Sequence, residues 1–248
     1  MTTMEEDILN GKLILVVDDE ADLRDIVASE LEFMGAKVQQ AANVENAIDF
    51  LKKSKVDLVV SDIRMPGASG IDLLKHVKSS NVDAPPMILI TGFADITPQA
   101  AFSSGAEAIL SKPFKLEELV HYAHRLTSPM KDRFKEKTVP HSSLERKFEQ
   151  SFADKIARKE IALGRGGINV LVDLPCPKCE LGEVMRFRFN FQDSVLTGTA
   201  ICRWWSSQEK SNLASVGLEF IQLSEESYQL LSKYWENDKL VPFIPSLA

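Results

Sequence analysis

The chain has 248 residues, of which 44% are hydrophobic and 26% charged, a composition that predicts one or two soluble globular domains. Only three cysteines are present, no apolar run is long enough to span a membrane, and the acidic N-terminus lacks an apolar signal core, so we expect a cytoplasmic protein without disulfides. The net charge of -7 argues against DNA as a partner.

Short apolar runs in the first half of the chain predict strands that are buried on both faces. They lie at residues 13–17, 56–60, 87–90 and 108–110. Helical periodicity separates them near residues 26–34, 44–53, 71–78 and 116–126. This alternation predicts an α/β domain with a parallel sheet over residues 12–127, preceded by an N-terminal tail of residues 1–11.

A charged stretch follows, and within residues 128–158 four apolar residues are spaced by four: Leu144, Phe148, Phe152 and Ile156. This spacing predicts a connector helix with one narrow apolar stripe. We favour packing of the stripe on one of the chain's own domains over a dimer seam, because spacing by four drifts around a helix and forms no heptad repeat. A homodimer stays open as the alternative.

The sequence pattern changes again after residue 158. Strand-like runs at residues 168–172, 183–191, 197–204 and 216–221 are joined by turns rich in glycine and proline. A final helix is predicted from Ser224 to about Trp235. These elements indicate a small antiparallel β-barrel with a C-terminal helix over residues 159–237, followed by a tail of residues 238–248. In residues 186–189 (RFRF) the arginines share one strand face, which we expect to be solvated, and the phenylalanines share the core face.

Polar residues follow the predicted strands of the first half. Asp18 and Asp19 follow the first run, and Asp62, Thr91 and Lys112 follow the later ones. In a parallel α/β sheet these positions meet at one edge, where three carboxylates repel one another unless a cation such as Mg²⁺ joins them. A lysine and a threonine nearby can hold phosphoryl oxygens. The alternatives are a surface lysine, a strand-end threonine and, for the aspartate pair, a helix N-cap.

Four stretches match one family in order and spacing, at residues 15–20 (LVVDDE), 61–67 (SDIRMPG), 90–92 (ITG) and 105–114 (GAEAILSKPF). On these stretches, residues 12–126 resemble the receiver domain of bacterial two-component response regulators. The resemblance implies a doubly wound, five-stranded parallel sheet. It also implies a partner, either a histidine kinase or a phosphotransfer protein, that supplies a phosphoryl group.

The resemblance assigns the acidic residues to phosphate and metal. Asp62 would accept the phosphoryl group. Asp19, Asp62 and the backbone carbonyl of Arg64 would ligate Mg²⁺ directly, and Asp18 would act mostly through a metal-bound water. Arg64 and Gly92 flank the site and should affect the lifetime of the aspartyl phosphate.

The same resemblance assigns Lys112 and Thr91 to the phosphoryl oxygens. Lys112 would pair with them, and Thr91 would swing to bond one of them. The sequence departs from the family at Ile109, where receivers often carry an aromatic residue that couples to the threonine. We expect Phe93 and Phe114, the nearby aromatics, to be packing residues.

The second half resembles a PilZ domain at residues 164–168 (GRGGI), 199–205 (TAICRWW) and 216–224 (VGLEFIQLS). PilZ domains are best known as cyclic diguanylate receptors, which use two arginines four residues apart and an Asp/Asn-x-Ser-x-x-Gly turn. Here Ala162 and Gly164 stand at the acidic and serine positions, and no such arginine pair precedes them. Arg158 and Arg165 are the remaining candidates for nucleotide contact.

We therefore predict a response regulator in which phosphorylation of Asp62 switches a PilZ-like output domain that acts on a downstream protein. The alternative is a phosphorylation-gated cyclic diguanylate receptor. We expect no enzyme activity beyond the receiver's own phosphoryl transfer and hydrolysis, because the rest of the chain offers no nucleophile–base pair or nucleotide loop. The pair Cys176 and Cys179 could be half a zinc site, but with no second pair present a proline-shaped turn is favoured.

Overall fold

The computed structural model describes residues 7–80, 84–92, 95–136, 138–173, 179–207, 212–237 and 243–247. The chain forms two compact units. The first holds the chain up to Thr97 together with Ser104–Ser128, and the second holds Pro98–Ser103 together with the chain from Pro129 onward. In the described ranges, every helix is too short or too polar to cross a lipid bilayer.

Strands and helices alternate in the described part of residues 7–127. In order they are β1 (Leu13–Val17), α1 (Ala21–Phe33), β2 (Lys37–Ala41), α2 (Val44–Leu51), β3 (Leu58–Asp62), α3 (Gly70–Ser80), β4 (Met87–Thr91), α4 (Pro98–Ser103), β5 (Ala108–Ser111) and α5 (Leu116–Thr127). The strands form one sheet in the order β2-β1-β3-β4-β5, and every pairing is parallel. The predicted five-stranded parallel α/β fold is confirmed.

The degree to which each strand is buried explains whether the sequence predicted it. Every residue of β3 and β4 is buried, so both strands are continuous apolar runs. In contrast, β2 lies at the sheet edge with Lys37, Gln39 and Gln40 exposed, and its polar sequence did not predict a strand. The sequence also missed α4, whose six residues are too few to show helical periodicity.

A buried ion pair links α3 to the region before β5. Lys78 Nζ lies 2.9 Å from both carboxylate oxygens of Glu107, and both side chains are at least 95% buried. Lys78 also donates to the carbonyl oxygen of Pro85, and Glu107 accepts from the backbone N–H of Met87. Because each charge has several partners, the desolvation cost of burying it is offset, and loss of either partner alone would cost about 3–5 kcal/mol.

From Pro129 onward, the described residues of the second unit form six strands in one sheet and two α-helices. They are β6 (Ser142–Lys147), α6 (Phe152–Ala157), β7 (Ile161–Leu163), β8 (Gly167–Asp173), β9 (Val184–Asn190), β10 (Val195–Ser207), β11 (Leu213–Leu223) and α7 (Glu225–Asn237). The strand order is β6-β9-β10-β11-β8-β7. Four of the five pairings are antiparallel as predicted, and the fifth, between β6 and β9, is parallel.

The predicted connector helix within residues 128–158 is wrong. Leu144 lies on strand β6 opposite Phe187, and only Phe152 and Ile156 of the apolar stripe lie on a helix, the short α6. A spacing of four residues also places side chains on one face of a strand, because strand side chains alternate with period two. Phe148 stacks on Phe191 with ring centroids 4.8 Å apart, so the stripe belongs to the core of the second unit.

The alternation predicted in β9 is confirmed. Arg186 and Arg188 are exposed, and Phe187 and Phe189 are fully buried. The centroids of the two phenylalanine rings lie 5.3 Å apart, and the Phe187 centroid lies 5.5 Å from that of Phe220 in the core of this unit. Burial of such large side chains is the main stabilising contribution to a sheet of this size.

Candidate functional site

Three aspartates converge at the carboxyl edge of the parallel sheet. Asp62 ends β3, and Asp18 and Asp19 follow β1, which pairs with β3. Carboxylate oxygens of the three side chains lie within 4.8 Å of one another. Asp18 and Asp62 are buried and Asp19 is exposed. Among the described residues, this is the one group of three or more acidic, histidine or cysteine side chains close enough to share a metal ion.

The donor set fits a hard divalent cation. Carboxylate oxygens are the ligands that Mg²⁺ prefers, and the exposed side of Asp19 leaves room for the waters that this ion usually keeps. The backbone of Arg64 lies at the same place, because its N–H donates to Asp62 Oδ2 over 3.1 Å. These residues could therefore hold Mg²⁺ at the sheet edge.

A glycine lets the chain fold back against Asp62. Helix α3 begins at Gly70, whose N–H donates to the carbonyl oxygen of Ile63. A Cβ atom at Gly70 would lie 2.1 Å from the carbonyl oxygen of Asp62, closer than any side chain could be tolerated. The absence of a side chain at Gly70 thus allows the start of α3 to approach the Asp62 backbone closely.

Lys112 faces the cluster from the strand on the other side of β4. Its Nζ lies 2.9 Å from Asp62 Oδ1, 3.4 Å from Glu20 Oε1 and 3.9 Å from Asp18 Oδ2. Burial alone would lower the pKa of Lys112, but the hydrogen bond and charge of Asp62, together with the charges of Asp18 and Glu20, raise it. Lys112 is therefore held as an ammonium ion beside Asp62.

For Asp18, burial outweighs the hydrogen bond and the positive charge beside it, so the pKa is raised. Burial raises its pKa, and the charges of Asp62 and Glu20 add to the rise, against the Glu20 N–H and Lys112, which lower it. Asp18 Oδ1 accepts the Glu20 N–H at 2.8 Å, ahead of α1, and Glu20 is the N-cap residue without a side-chain cap. The alternative that the aspartate pair caps α1 is therefore wrong.

Thr91 is the last residue of β4, and its hydroxyl contacts residues that follow it in the chain. Thr91 Oγ1 lies 2.8 Å from the carbonyl oxygen of Gly92 and 3.1 Å from Asp95 Oδ2. Asp95 also accepts the Gly92 N–H at 2.7 Å and forms an ion pair with the Arg64 guanidinium. Burial alone would raise the pKa of Asp95, but the hydrogen bonds from Thr91, Gly92 and Arg64 outweigh it and hold the pKa below its usual range.

The sequence did not single out Asp95. The available signal was an aspartate shortly after a strand end, a position where its side chain often accepts backbone hydrogen bonds in a turn. That pattern does not reveal the pairing with Arg64, which lies 31 residues away. Phe93, expected to be a packing residue, lies outside the described residues.

The candidate residues of the second unit lie at a helix end and in a turn. Arg158 is exposed at the end of α6, and Arg165 is half-buried in the turn between β7 and β8. Cys176 lies outside the described residues, so the proposed CxxC turn is not described. Cys202, which in the sequence has no cysteine near it, forms a hydrogen bond with the Cys179 thiol, and this contact and burial raise its pKa. A buried pair of Arg203 and Glu219 was also unforeseen.

Comparison with known proteins identifies the part of the chain that carries the acidic cluster. Residues 14–124 match the family model of the response regulator receiver domain. The chain is 38% identical over 114 residues to the C4-dicarboxylate transport transcriptional regulatory protein DctD of Rhizobium meliloti, covering 45% of this chain and 24% of that one. It is 36% identical over 112 residues to the phosphate regulon transcriptional regulatory protein PhoB of Pseudomonas aeruginosa, covering 44% and 49%.

A solved structure, the receiver domain of NtrX from Brucella abortus, is 34% identical, with 46% of this chain and 97% of that chain covered and a TM-score of 0.44. The chain spans about a quarter of DctD and about half of PhoB. Residues 14–124 are thus a receiver domain of the two-component response regulator family. The matches to DctD and PhoB cover less than half of this chain.

Proposed function

We propose that this chain is a phosphorylation-controlled signalling switch in which Asp62 accepts a phosphoryl group from a histidine kinase or a phosphotransfer protein. One observation carries the proposal: the buried Asp62 carboxylate lies 2.9 Å from the Lys112 ammonium and shares an oxygen cluster with Asp18 and Asp19. A buried carboxylate with a cation and a metal site beside it is arranged to take up and stabilise further negative charge.

In the proposed reaction an Asp62 oxygen attacks the phosphorus of a phosphohistidine. The new P–O bond forms as the P–N bond breaks, and the electron pair of that bond returns to the imidazole nitrogen, which takes up a proton. Lys112 balances charge on the transferred oxygens. Bound Mg²⁺, held by Asp19, Asp62 and the Arg64 carbonyl with Asp18 acting through water, would neutralise phosphoryl charge.

Thr91 is the proposed reporter of this reaction. To bond a phosphoryl oxygen, its hydroxyl must leave the Gly92 carbonyl and the Asp95 carboxylate. Phosphorylation thus favours one of two arrangements of the Thr91 side chain, which is how a local charge change can shift a conformational equilibrium. Beyond this transfer and the hydrolysis of the product, we assign the chain no enzyme activity.

The test is incubation of the full chain with Mg²⁺ and a small acyl phosphate, followed by intact-mass measurement. One phosphate per chain is expected, with uptake lost when a chelator removes the metal. The product should lose its phosphate in hydroxylamine, as an acyl phosphate does. A chain that takes up no phosphate, or takes it up equally well without a divalent cation, would contradict the proposal.

We further propose that the second unit is a PilZ-like output domain that acts on a protein partner. Its antiparallel strands followed by helix α7 are consistent with that resemblance. The turn that would complete a nucleotide site carries Ala162 and Gly164 in place of acidic and serine residues, and no pair of arginines four residues apart precedes it. These features favour protein recognition over nucleotide recognition.

Calorimetric titration of the full chain with cyclic diguanylate should therefore show no saturable binding in the micromolar range, with and without phosphorylation. The physical reason is that a doubly anionic, bis-guanine ligand needs guanidinium forks and polar groups aimed at base edges. A saturable isotherm that Arg165→Ala removes and Arg188→Ala leaves intact would favour the alternative, a phosphorylation-gated nucleotide receptor. Arg188 suits as the control because it is exposed on β9.

A further inference from the structure

Asp95 joins the two loops that flank the phosphoacceptor. Its Oδ1 pairs with the guanidinium of Arg64, in the loop after β3, and its Oδ2 receives the Gly92 N–H at 2.7 Å, in the loop after β4. The Asp95 side chain is 3% exposed, whereas that of Arg64 is 74% exposed. A nearly buried carboxylate is thus held between an outer cation and inner donors, so its position is defined from both sides.

The Thr91 hydroxyl is a third partner of this carboxylate. Thr91 Oγ1 lies 3.1 Å from Asp95 Oδ2 and 2.8 Å from the Gly92 carbonyl oxygen, and both of these neighbours are acceptors. A hydroxyl carries a single hydrogen, so it can donate to only one acceptor at a time. Each acceptor offered by the loop therefore competes directly with a phosphoryl oxygen on Asp62 for the same hydrogen.

We propose that Asp95 is a positioning residue that, with Arg64, holds the Thr91 hydroxyl in its unphosphorylated arrangement and thereby sets how readily Asp62 keeps a phosphoryl group. The inference rests on the proposed function of Asp62 as phosphoacceptor. Hydrogen bonds to a charged group are about twice as strong as neutral ones, so the carboxylate is the stronger of the two competing acceptors. Arg64 contributes by fixing the carboxylate where Thr91 can reach it.

The consequence is an equilibrium biased toward the unphosphorylated arrangement. Whatever free energy the Asp95 contact contributes must be given up when Thr91 turns to the phosphoryl group, so the affinity for that group is reduced by the same amount. Removing the carboxylate should therefore strengthen binding of a phosphoryl analogue. A residue that only supported the fold would weaken binding or leave it unchanged.

The experiment titrates the full chain with beryllofluoride, an analogue of the acyl phosphate, in the presence of Mg²⁺. Asp95→Asn keeps the size of the side chain but removes its charge, and it should lower the midpoint concentration about tenfold, the change expected for one hydrogen bond to a charged group. Asp49→Asn, on helix α2 and exposed beside Lys52, removes the same charge elsewhere and should not move the midpoint.

A double-mutant cycle separates the hydroxyl from simple charge repulsion. Loss of any nearby negative charge favours an anionic analogue, so this part of the gain persists in a Thr91→Ala chain, whereas the part that acts through the hydroxyl disappears. The gain from Asp95→Asn should therefore be mostly lost in the Thr91→Ala background. An equal gain in both backgrounds would show that Asp95 acts by charge alone and would overturn the inference.

Thermal melting would reveal whether Asp95→Asn has a folding defect. A second double-mutant cycle tests the inference without that variant. Arg64→Gln changes a largely exposed side chain, and coupling between Arg64→Gln and Thr91→Ala is expected because Arg64 reaches Thr91 through Asp95. Additive effects in this cycle would also contradict the inference. If the unaltered chain takes up neither phosphate nor beryllofluoride, the proposed function fails; if it takes up both and neither cycle shows coupling, only this inference fails.

Discussion

Asp62→Asn is expected to abolish phosphate uptake from both a small acyl phosphate and a phosphorylated kinase. The substitution removes the proposed nucleophile, because an amide has no anionic oxygen to attack phosphorus. The fold should survive, since the asparagine side chain has nearly the same shape. Asp62 accepts the Arg64 N–H on Oδ2 and the Lys112 ammonium on Oδ1, and the single amide oxygen of asparagine can keep one of these two bonds. Intact-mass measurement and a radiolabelled donor give the two readouts.

Asp49→Asn provides the matched control for this variant. Asp49 is an exposed aspartate on α2 whose side chain pairs with Lys52 at the surface, so its loss changes the charge of the chain by the same amount without touching the sheet edge. Its uptake of phosphate should equal that of the unaltered chain. Undiminished labelling of Asp62→Asn would mean that another residue accepts the phosphate, and the assignment of the site would be wrong.

Lys112→Met should slow phosphorylation by about a hundredfold, the typical loss when one group that stabilises developing charge is removed from a site. The ammonium lies 2.9 Å from Asp62 and closer to it than to Glu20 or Asp18. Methionine keeps most of the aliphatic stem and removes the charge, so packing is largely retained. The initial rate of phosphate uptake at a fixed donor concentration measures the effect.

Lys115→Met is the control for the lysine. Lys115 precedes α5, is exposed, and makes no side-chain cap bond to that helix. If general attraction of an anionic donor were the only role of Lys112, the two variants would slow the reaction to a similar degree, with a strong dependence on salt. A large, salt-independent loss confined to Lys112→Met is expected from direct contact with the transferred group.

Local pattern predicted most of the first unit because its strands are short, apolar and buried on both faces. The ends of those runs predict Asp18, Asp62 and Thr91 at one sheet edge, where the structure has them. The hydrophobic pattern did not predict elements that are short or only partly buried. The edge strand β2 is polar, and the spacing of Leu144 and Phe148 fits a helix and a strand face equally well.

The sequence by itself determined the receiver fold, the acidic cluster and the lysine that faces it, because each of these follows from residues next to a strand end. Only the tertiary structure decided which residues that are distant in the sequence form ion pairs with each other. The pairing of Asp95 with Arg64 and that of Lys78 with Glu107 join segments about thirty residues apart, and they exist because the parallel sheet brings separate loops together. Hydrogen bonds and ion pairs between such segments depend on three-dimensional register, which local periodicity does not encode.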